Sequence, residues 1–315
     1  MSVVLPTRDR AAVVGRAVAS VLAQTFSDSE LIVVDDGSTD DTIDVIRSFA
    51  DPRLRVVRLT ESGGPSRARN EGVRVSRGTL VAFLDSDDEW LPGKLDRQVT
   101  LIRDDSRVDV VYGRAQRVDD RTGRRAPMHR ALPAGDAFSM LVRGWNPAFS
   151  SVIVKRAVFL KVGGFDPGLP AFTDHDLLLR IAQTGSWFAA VADAVMIQHD
   201  YGGPQISTTP RRLLEAFERM DRKWALVLRN RVGAAGYRRW RAQLFTKAQH
   251  ARVREAVARR HVLAAWQAFA TTVRFAPWAA QSVASSFALA ALGARGYAAL
   301  LRLTDGVTRL VRSDA

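Results

Sequence analysis

The chain has 315 residues, 47% of them hydrophobic, and no cysteine. That length buries a full core with room for an appended unit, and the missing thiols exclude disulfides, thiolate zinc sites and cysteine nucleophiles, which fits a reducing compartment. The formal net charge of +13 is confined to the end: residues 1–210 hold 26 Lys/Arg against 27 Asp/Glu, residues 211–315 hold 20 against 6, so a polyanion would meet only the last third.

Ser2-Val3-Val4-Leu5 is a strand-like run, and with no basic segment leading into an apolar stretch no cleaved signal peptide is expected. After Pro6-Thr7-Arg8-Asp9-Arg10, the residues Val13, Val14, Ala17, Val18, Val21 and Leu22 recur at helical spacing, ending near Gln24-Thr25. Leu31 to Val34 is a second strand, broken by Asp35-Asp36-Gly37-Ser38-Thr39-Asp40-Asp41. Ser38 or Thr39 is expected to cap the helix suggested by Ile43, Val45, Ile46 and Phe49. Arg53 to Leu59 alternates as a third strand, and Gly63-Gly64-Pro65-Ser66 turns into a helix carrying Arg67, Arg69 and Asn70. Thr79 to Leu84 is the fourth strand and runs into Asp85-Ser86-Asp87-Asp88-Glu89-Trp90.

Alternating strands and helices predict an α/β fold with a parallel sheet covered on both faces, whose ligands sit beyond the carboxyl ends of the strands. Those ends carry Thr7/Arg8, Asp35/Asp36, the Gly63–Asn70 turn and Asp85/Asp87. No G-x-G-x-x-G follows the first strand, and no G-x-x-x-x-G-K-[ST] occurs. The acids at 85, 87, 88 and 89 repel one another. A divalent cation offsets that repulsion, and oxygen-only ligands suit Mg²⁺ or Mn²⁺; a solvated acidic turn is the competing reading.

Lys94 to Ile102 reads as a helix and Asp109 to Tyr112 as a strand. Arg114–Val118 and the stretch after Thr122-Gly123 suit a hairpin across Asp119-Asp120. Ser151 to Val154 is strand-like, Val162 to Pro167 a loop, Asp174 to Ala182 a helix and Val191 to Ile197 a last strand. From Arg211 to Leu228 the pattern puts Leu213, Leu214, Phe217, Met220, Trp224, Val227 and Leu228 on one face and Arg and Lys on the other, and basic helical pattern continues to His261. Residues 275–294 carry no charge, but their low Leu/Ile content and Pro277 argue against a membrane span. Amphipathic helices lying on an anionic membrane surface account for the charge and the Trp residues; an ordinary helical subdomain with a solvated basic face is the alternative.

Val3-Val4-Leu5-Pro6-Thr7, Val33 to Asp40, Gly64 to Asn70, Phe83 to Asp88 and Asp174 to Arg180, in that order over roughly residues 2–207, resemble the inverting nucleotide-sugar glycosyltransferases of family two, which have the GT-A fold. The resemblance implies a mostly parallel, Rossmann-like sheet flanked by helices. Residues 1–90 would form the nucleotide-sugar-binding half, 91–210 the acceptor-binding half and 211–315 a basic α-helical extension. It implies transfer of a sugar from a nucleotide diphosphate to a hydroxyl of a lipid-linked or cell-surface glycan. Transfer would invert the anomeric centre in one displacement, at the cytoplasmic face of the cell membrane.

On that resemblance Asp87 holds Mn²⁺ or Mg²⁺ with Asp85, which also faces the ribose or the metal's water shell, and His199 supplies a further contact. Asp36 reads the nucleobase, Pro6, Thr7 and Arg8 border the nucleotide, and the turn from Gly63 and Gly64 to Asn70 brings backbone to the ligand, with Arg67 and Arg69 near the phosphates. Asp174 is the general base, with Asp176 as its substitute; Thr173 departs from the Glu the family carries beside the base. Trp145 and Asn146 are expected to line the acceptor groove. The alternatives are a nucleotidyltransferase, whose Gly-rich basic first loop is absent between Leu5 and Val13, a non-catalytic nucleotide-sugar or membrane-binding scaffold, and a nucleic-acid binder, for which no motif is present.

Overall fold

A computed structural model of the chain describes residues 1–128, 132–200, 209–259 and 261–275. The chain divides into two compact units, Met1–Leu169 with Thr173–Gly203, and Pro170–Phe172 with Pro204–Ala315.

The first unit is built on a ten-stranded sheet. Strands β1 (Ser2–Thr7), β2 (Glu30–Asp35), β3 (Leu54–Arg58) and β4 (Leu80–Phe83) are parallel, in the order β3-β2-β1-β4. Helices α1 (Ala11–Leu22) and α2 (Thr42–Arg47) belong to the face of Val3, Leu5, Leu31 and Val33. Helix α3 (Gly64–Val75) covers the opposite face, where Gly72 approaches Val4 and Val34. Burial on both sides is why these strands read as continuous apolar runs. Pro6 lies inside β1, but β1 pairs with β4 only over Ser2–Val4, so the missing N–H leaves no gap in the ladder.

Beyond β4 come β5 (Asp88–Trp90), α4 (Lys94–Asp104), β6 (Val108–Asp119), β7 (Arg125–Pro127), β8 (Gly135–Asp136) and α5 (Phe138–Val142). After a 3-10 turn at Phe149–Ser151 follow β9 (Ile153–Lys155), α6 (Arg156–Lys161), α7 (Thr173–Gln183) and β10 (Trp187–Asp200). The expected hairpin is present, β7 pairing with Gln116–Val118. The sheet is largely parallel, but β9 runs antiparallel between β4 and β6, and β5 runs antiparallel to β10. One expectation is corrected outright: neither Ser38 nor Thr39 caps α2, which begins at Thr42 without a side-chain cap. The Ser38 hydroxyl instead donates to Asp35, and the Thr39 N–H donates to Asp9 at 2.8 Å.

In the second unit, α8 (Pro210–Ala258) breaks at Gly233, where φ is 72°, a conformation glycine adopts without strain. Its halves fold back as a helical hairpin. Tyr237 Oη and Arg241 Nε donate to Asp221 at 2.5 and 2.6 Å, the Phe217 and Phe245 rings stand 5.3 Å apart, and Leu213 and Ala216 cluster with Ala248 and Ala251. The apolar stripe expected to face lipid is therefore engaged within the hairpin. Leu226 is exposed on α8, as are Leu263 and Trp266 on α9 (Val262–Phe275). Among the described residues no helix is long and apolar enough to cross a membrane. The charge-free stretch beyond Phe275 lies outside the described residues.

Candidate active site

At the carboxyl edge of β1–β3 the chain folds around two acids. Asp35, fully buried, accepts from the Ser38 N–H at 3.1 Å and lies 3.3 Å from the Arg58 guanidinium. The Asp36 carboxylate accepts the N–H groups of Gly63 at 2.7 Å and Gly64 at 2.9 Å and the Ser62 hydroxyl at 2.9 Å. It thus anchors the turn that opens α3, where Gly64 takes a φ of +80°. Arg8, exposed, donates to the same Ser62 hydroxyl, and Thr7 Oγ1 is buried with no partner among the described residues. Pro6, Thr7, Arg8, Asp36 and Gly64 are therefore gathered at one corner.

Arg67 is exposed beside Gly63, lining a groove of about 420 Å³ with Arg58, Leu59 and Pro167. Asn70 lines the same groove, and its amide donates to the Phe165 carbonyl and accepts the Phe165 N–H, both at 2.8 Å, fastening the segment after α6 to α3.

Past β4, Asp85 takes a charge-assisted bond from Arg69 at 2.5 Å, and that guanidinium also lies over the rings of Phe149 and Phe165. Burial, and then the neighbouring charge of Asp85, raise the Asp87 carboxyl above the usual range. Asp88 is buried, and burial with the charges of Asp85 and Asp87 pushes it well up although Ser150 Oγ donates to it at 2.5 Å. Within the acidic turn Asp88 is closed off from solvent, while the Asp85 side chain stays 39% exposed and Asp87 half-buried.

Asp85 and Asp87 together offer hard oxygen ligands whose mutual repulsion a dication relieves. A Mg²⁺-like ion is commonly held by one or two carboxylates plus substrate phosphates, so these residues fit it. Among the described residues no ready-made cage of three His, Asp or Glu exists. His199 is engaged by two acids, its Nδ1 2.6 Å from Asp120 and its Nε2 3.1 Å from Glu89 at the end of the acidic turn. Arg16 extends this network, lying 3.6 Å from Asp120 and donating to the Asp87 carbonyl at 3.3 Å.

Asp174 lies in the first turn of α7, half-buried. Asn146 Nδ2 donates to its Oδ2 at 3.0 Å, and Oδ1 has no partner among the described residues. The side-chain Oδ1 of Asn146 lies 3.5 Å from His175 Nδ1. Asp176, expected as the substitute base, is fully buried and paired with Arg180 at 2.8 Å, and Arg180 in turn donates to the Val162 carbonyl at 2.6 Å. Trp145 packs on Tyr112 with ring centroids 4.9 Å apart and carries a buried indole N–H with no partner among the described residues. Ser150 was not foreseen, since a lone serine in Phe-Ser-Ser carries no motif.

The model for the family described as Glycosyl transferase family 2 matches residues 2–169. The succinoglycan biosynthesis protein ExoU of Rhizobium meliloti is 30% identical over 231 residues, covering 68% of this chain and 67% of that protein. An Escherichia coli UDP-Glc:alpha-D-GlcNAc-diphosphoundecaprenol beta-1,3-glucosyltransferase, WfgD, is 32% identical over 113 residues, covering 36% of this chain and 44% of that protein. The chain spans 67%, 63% and 54% of the length of the first three curated relatives it matches. A mannosyltransferase of Pyrobaculum calidifontis, solved with GDP-Man and Mn²⁺, superposes with a TM-score of 0.56 at 20% identity, covering 92% of this chain and 85% of that one. That likeness establishes the GT-A-like architecture.

Proposed function

This chain belongs to glycosyl transferase family 2, and we propose that it moves a sugar from a nucleotide-diphosphate sugar to a hydroxyl of a lipid-linked or cell-surface glycan, with inversion in a single displacement. The observation that carries this reading is a pair of carboxylate centres in the first unit. Asp85 and Asp87 follow β4, and Asp174 stands in the first turn of α7 with one oxygen that has no partner among the described residues.

Asp174 takes the proton of the acceptor hydroxyl as the sugar's anomeric carbon is attacked. Asn146 holds Oδ2 and leaves Oδ1 to accept. Asp87, with Asp85, would hold Mn²⁺ or Mg²⁺, which supplies Lewis-acid stabilisation to charge growing on the diphosphate. Thr7, Arg8, Asp36 and Gly64 border the nucleotide, with Arg67 beside them for phosphate. Asp36 already accepts three bonds; a carboxylate has about four lone-pair sites, so one remains for a base N–H. His199 joins the cation only by leaving Asp120 or Glu89.

The acceptor class is supported by relatives named for succinoglycan biosynthesis and for transfer to a diphosphoundecaprenol-linked sugar. The exposed Arg and Lys of the second unit are assigned to the anionic cytoplasmic face of the membrane, where a lipid-linked acceptor is presented.

Transfer assays with a panel of UDP-, GDP- and dTDP-sugars test the reading. Asp174→Asn is expected to lower kcat about 10²–10⁴-fold with the melting temperature unchanged, and wild-type turnover in this variant would overturn the assignment. Flotation with anionic liposomes at low salt tests the membrane assignment, which fails if the full chain stays in the soluble fraction.

A further inference from the structure

Ser150 is 2% exposed and binds the acidic turn at three places. Its hydroxyl accepts the Asp85 N–H at 3.1 Å and donates to Asp88 Oδ2 at 2.5 Å, and its carbonyl accepts the Trp90 indole N–H at 2.7 Å. The residues on both sides of Asp87 are thus fixed from a single position. A serine hydroxyl has one proton and two lone pairs, so it can serve an N–H and a carboxylate together, which alanine cannot. The neighbouring Phe149 holds the segment against β4, its ring 5.1 Å from that of Phe83.

Four residues earlier, Asn146 donates to Asp174. The two contacts lie on one stretch, Asn146-Pro147-Ala148-Phe149-Ser150, whose proline has a restricted φ and whose Cα atoms span at most ~14 Å. Burial of Phe149 and Ser150 fixes one end of it.

We propose that Asn146–Ser150 is a positioning strap: Ser150 sets the acidic turn, Asn146 sets the Asp174 carboxylate, and the segment between them holds the two centres at a fixed separation. This rests on the roles given above to Asp85, Asp87 and Asp174. Ser150 and Asn146 act through those residues rather than on the reacting atoms.

Removing a hydrogen-bonding group behind a metal ligand typically lowers affinity or activity about 10–100-fold. Mn²⁺ binding by the full chain is measured calorimetrically in the presence of UDP, alongside kcat and KM. Ser150→Ala is expected to weaken Mn²⁺ binding about 10–100-fold, and Ser150→Thr, which keeps the hydroxyl, to restore most of it. Should the alanine variant fail to fold, Ser150→Cys, with its weak donor, replaces it. Asn146→Ala is expected to lower kcat on the order of tenfold with Mn²⁺ affinity and KM unchanged. Ser76→Ala, buried in the first unit and losing bonds to the Val73 carbonyl at 2.7 Å and from Arg156 Nε at 3.1 Å, reports general loosening and is expected to leave both readouts unmoved. A wild-type chain that binds no Mn²⁺ overturns the underlying metal reading. Equal Mn²⁺ binding by wild type and Ser150→Ala, or unchanged kcat in Asn146→Ala, overturns the strap.

Discussion

Replacing Asp36 by asparagine exchanges one oxygen for an amide nitrogen at nearly constant size, and the contacts of Asp36 make the outcome calculable. One oxygen accepts the Gly63 N–H at 2.7 Å; the other accepts the Gly64 N–H and the Ser62 hydroxyl, each at 2.9 Å. Whichever way the asparagine turns, its NH₂ group meets a backbone N–H. At least one bond is lost and the remainder lose their charge assistance. A bond to a charged group contributes ~1.5–3 kcal/mol, so the turn that opens α3 weakens by about 2–3 kcal/mol. At ~2–4 °C per kcal/mol for a unit of this size, the melting temperature should fall roughly 4–12 °C. The melt is read without nucleotide, since a bound ligand would add its own stabilisation. A shift below about 1 °C, outside the range expected from that bond loss, accompanied by lost nucleotide affinity, would refute the anchoring role and leave Asp36 acting on the ligand alone.

Lys94 is wholly buried, donating to Gln98 at 2.5 Å with Nζ 4.1 Å from the Trp90 ring centroid, and burial holds its pKa well below the ordinary lysine value. Unfolding then takes up a proton between the folded and unfolded pKa values. Stability should therefore rise with pH toward about 10, by at most ~1.4 kcal/mol per unit. Lys94→Met is expected to flatten that rise in urea melts from about pH 7 to 10, and equal slopes in both proteins would contradict it. Gly72→Ala would place a Cβ 2.4 Å from Val4 Cγ1 and 3.1 Å from Val34 Cγ2. Overpacking of about 1–3 kcal/mol should outweigh alanine's helix preference and lower the urea midpoint at constant m, whereas an unchanged midpoint would contradict the close approach.

The parallel half of the sheet was legible because strands buried on both faces leave apolar runs, and polar groups at their ends stand out against them. Asp36, Gly64 and Arg8 could be grouped from their places at those ends. Spacing along the chain does not reveal which polar group is already engaged by a distant segment. Asn70 is held by Phe165, 95 residues away, and His199 by Asp120, 79 residues away. Ser150 acts on Asp88 across 62 residues, with no pattern to mark it. The stripe on α8 shows the same limit. A helical period states that a face is covered, and a lipid surface or a second helix produces the same period; Gly233 was the local sign that the helix could double back on itself.

The central claim is that Asp85 and Asp87 grip a cation that secures the donor diphosphate. Calorimetric titration of UDP, GDP and dTDP into the full chain, with Mn²⁺ and then with EDTA, tests it most directly. One nucleotide should bind with Mn²⁺ and lose its binding heat in EDTA, and Asp87→Ala should abolish the heat under both conditions. A nucleotide bound equally well with and without the cation, and equally by wild type and Asp87→Ala, would contradict the account.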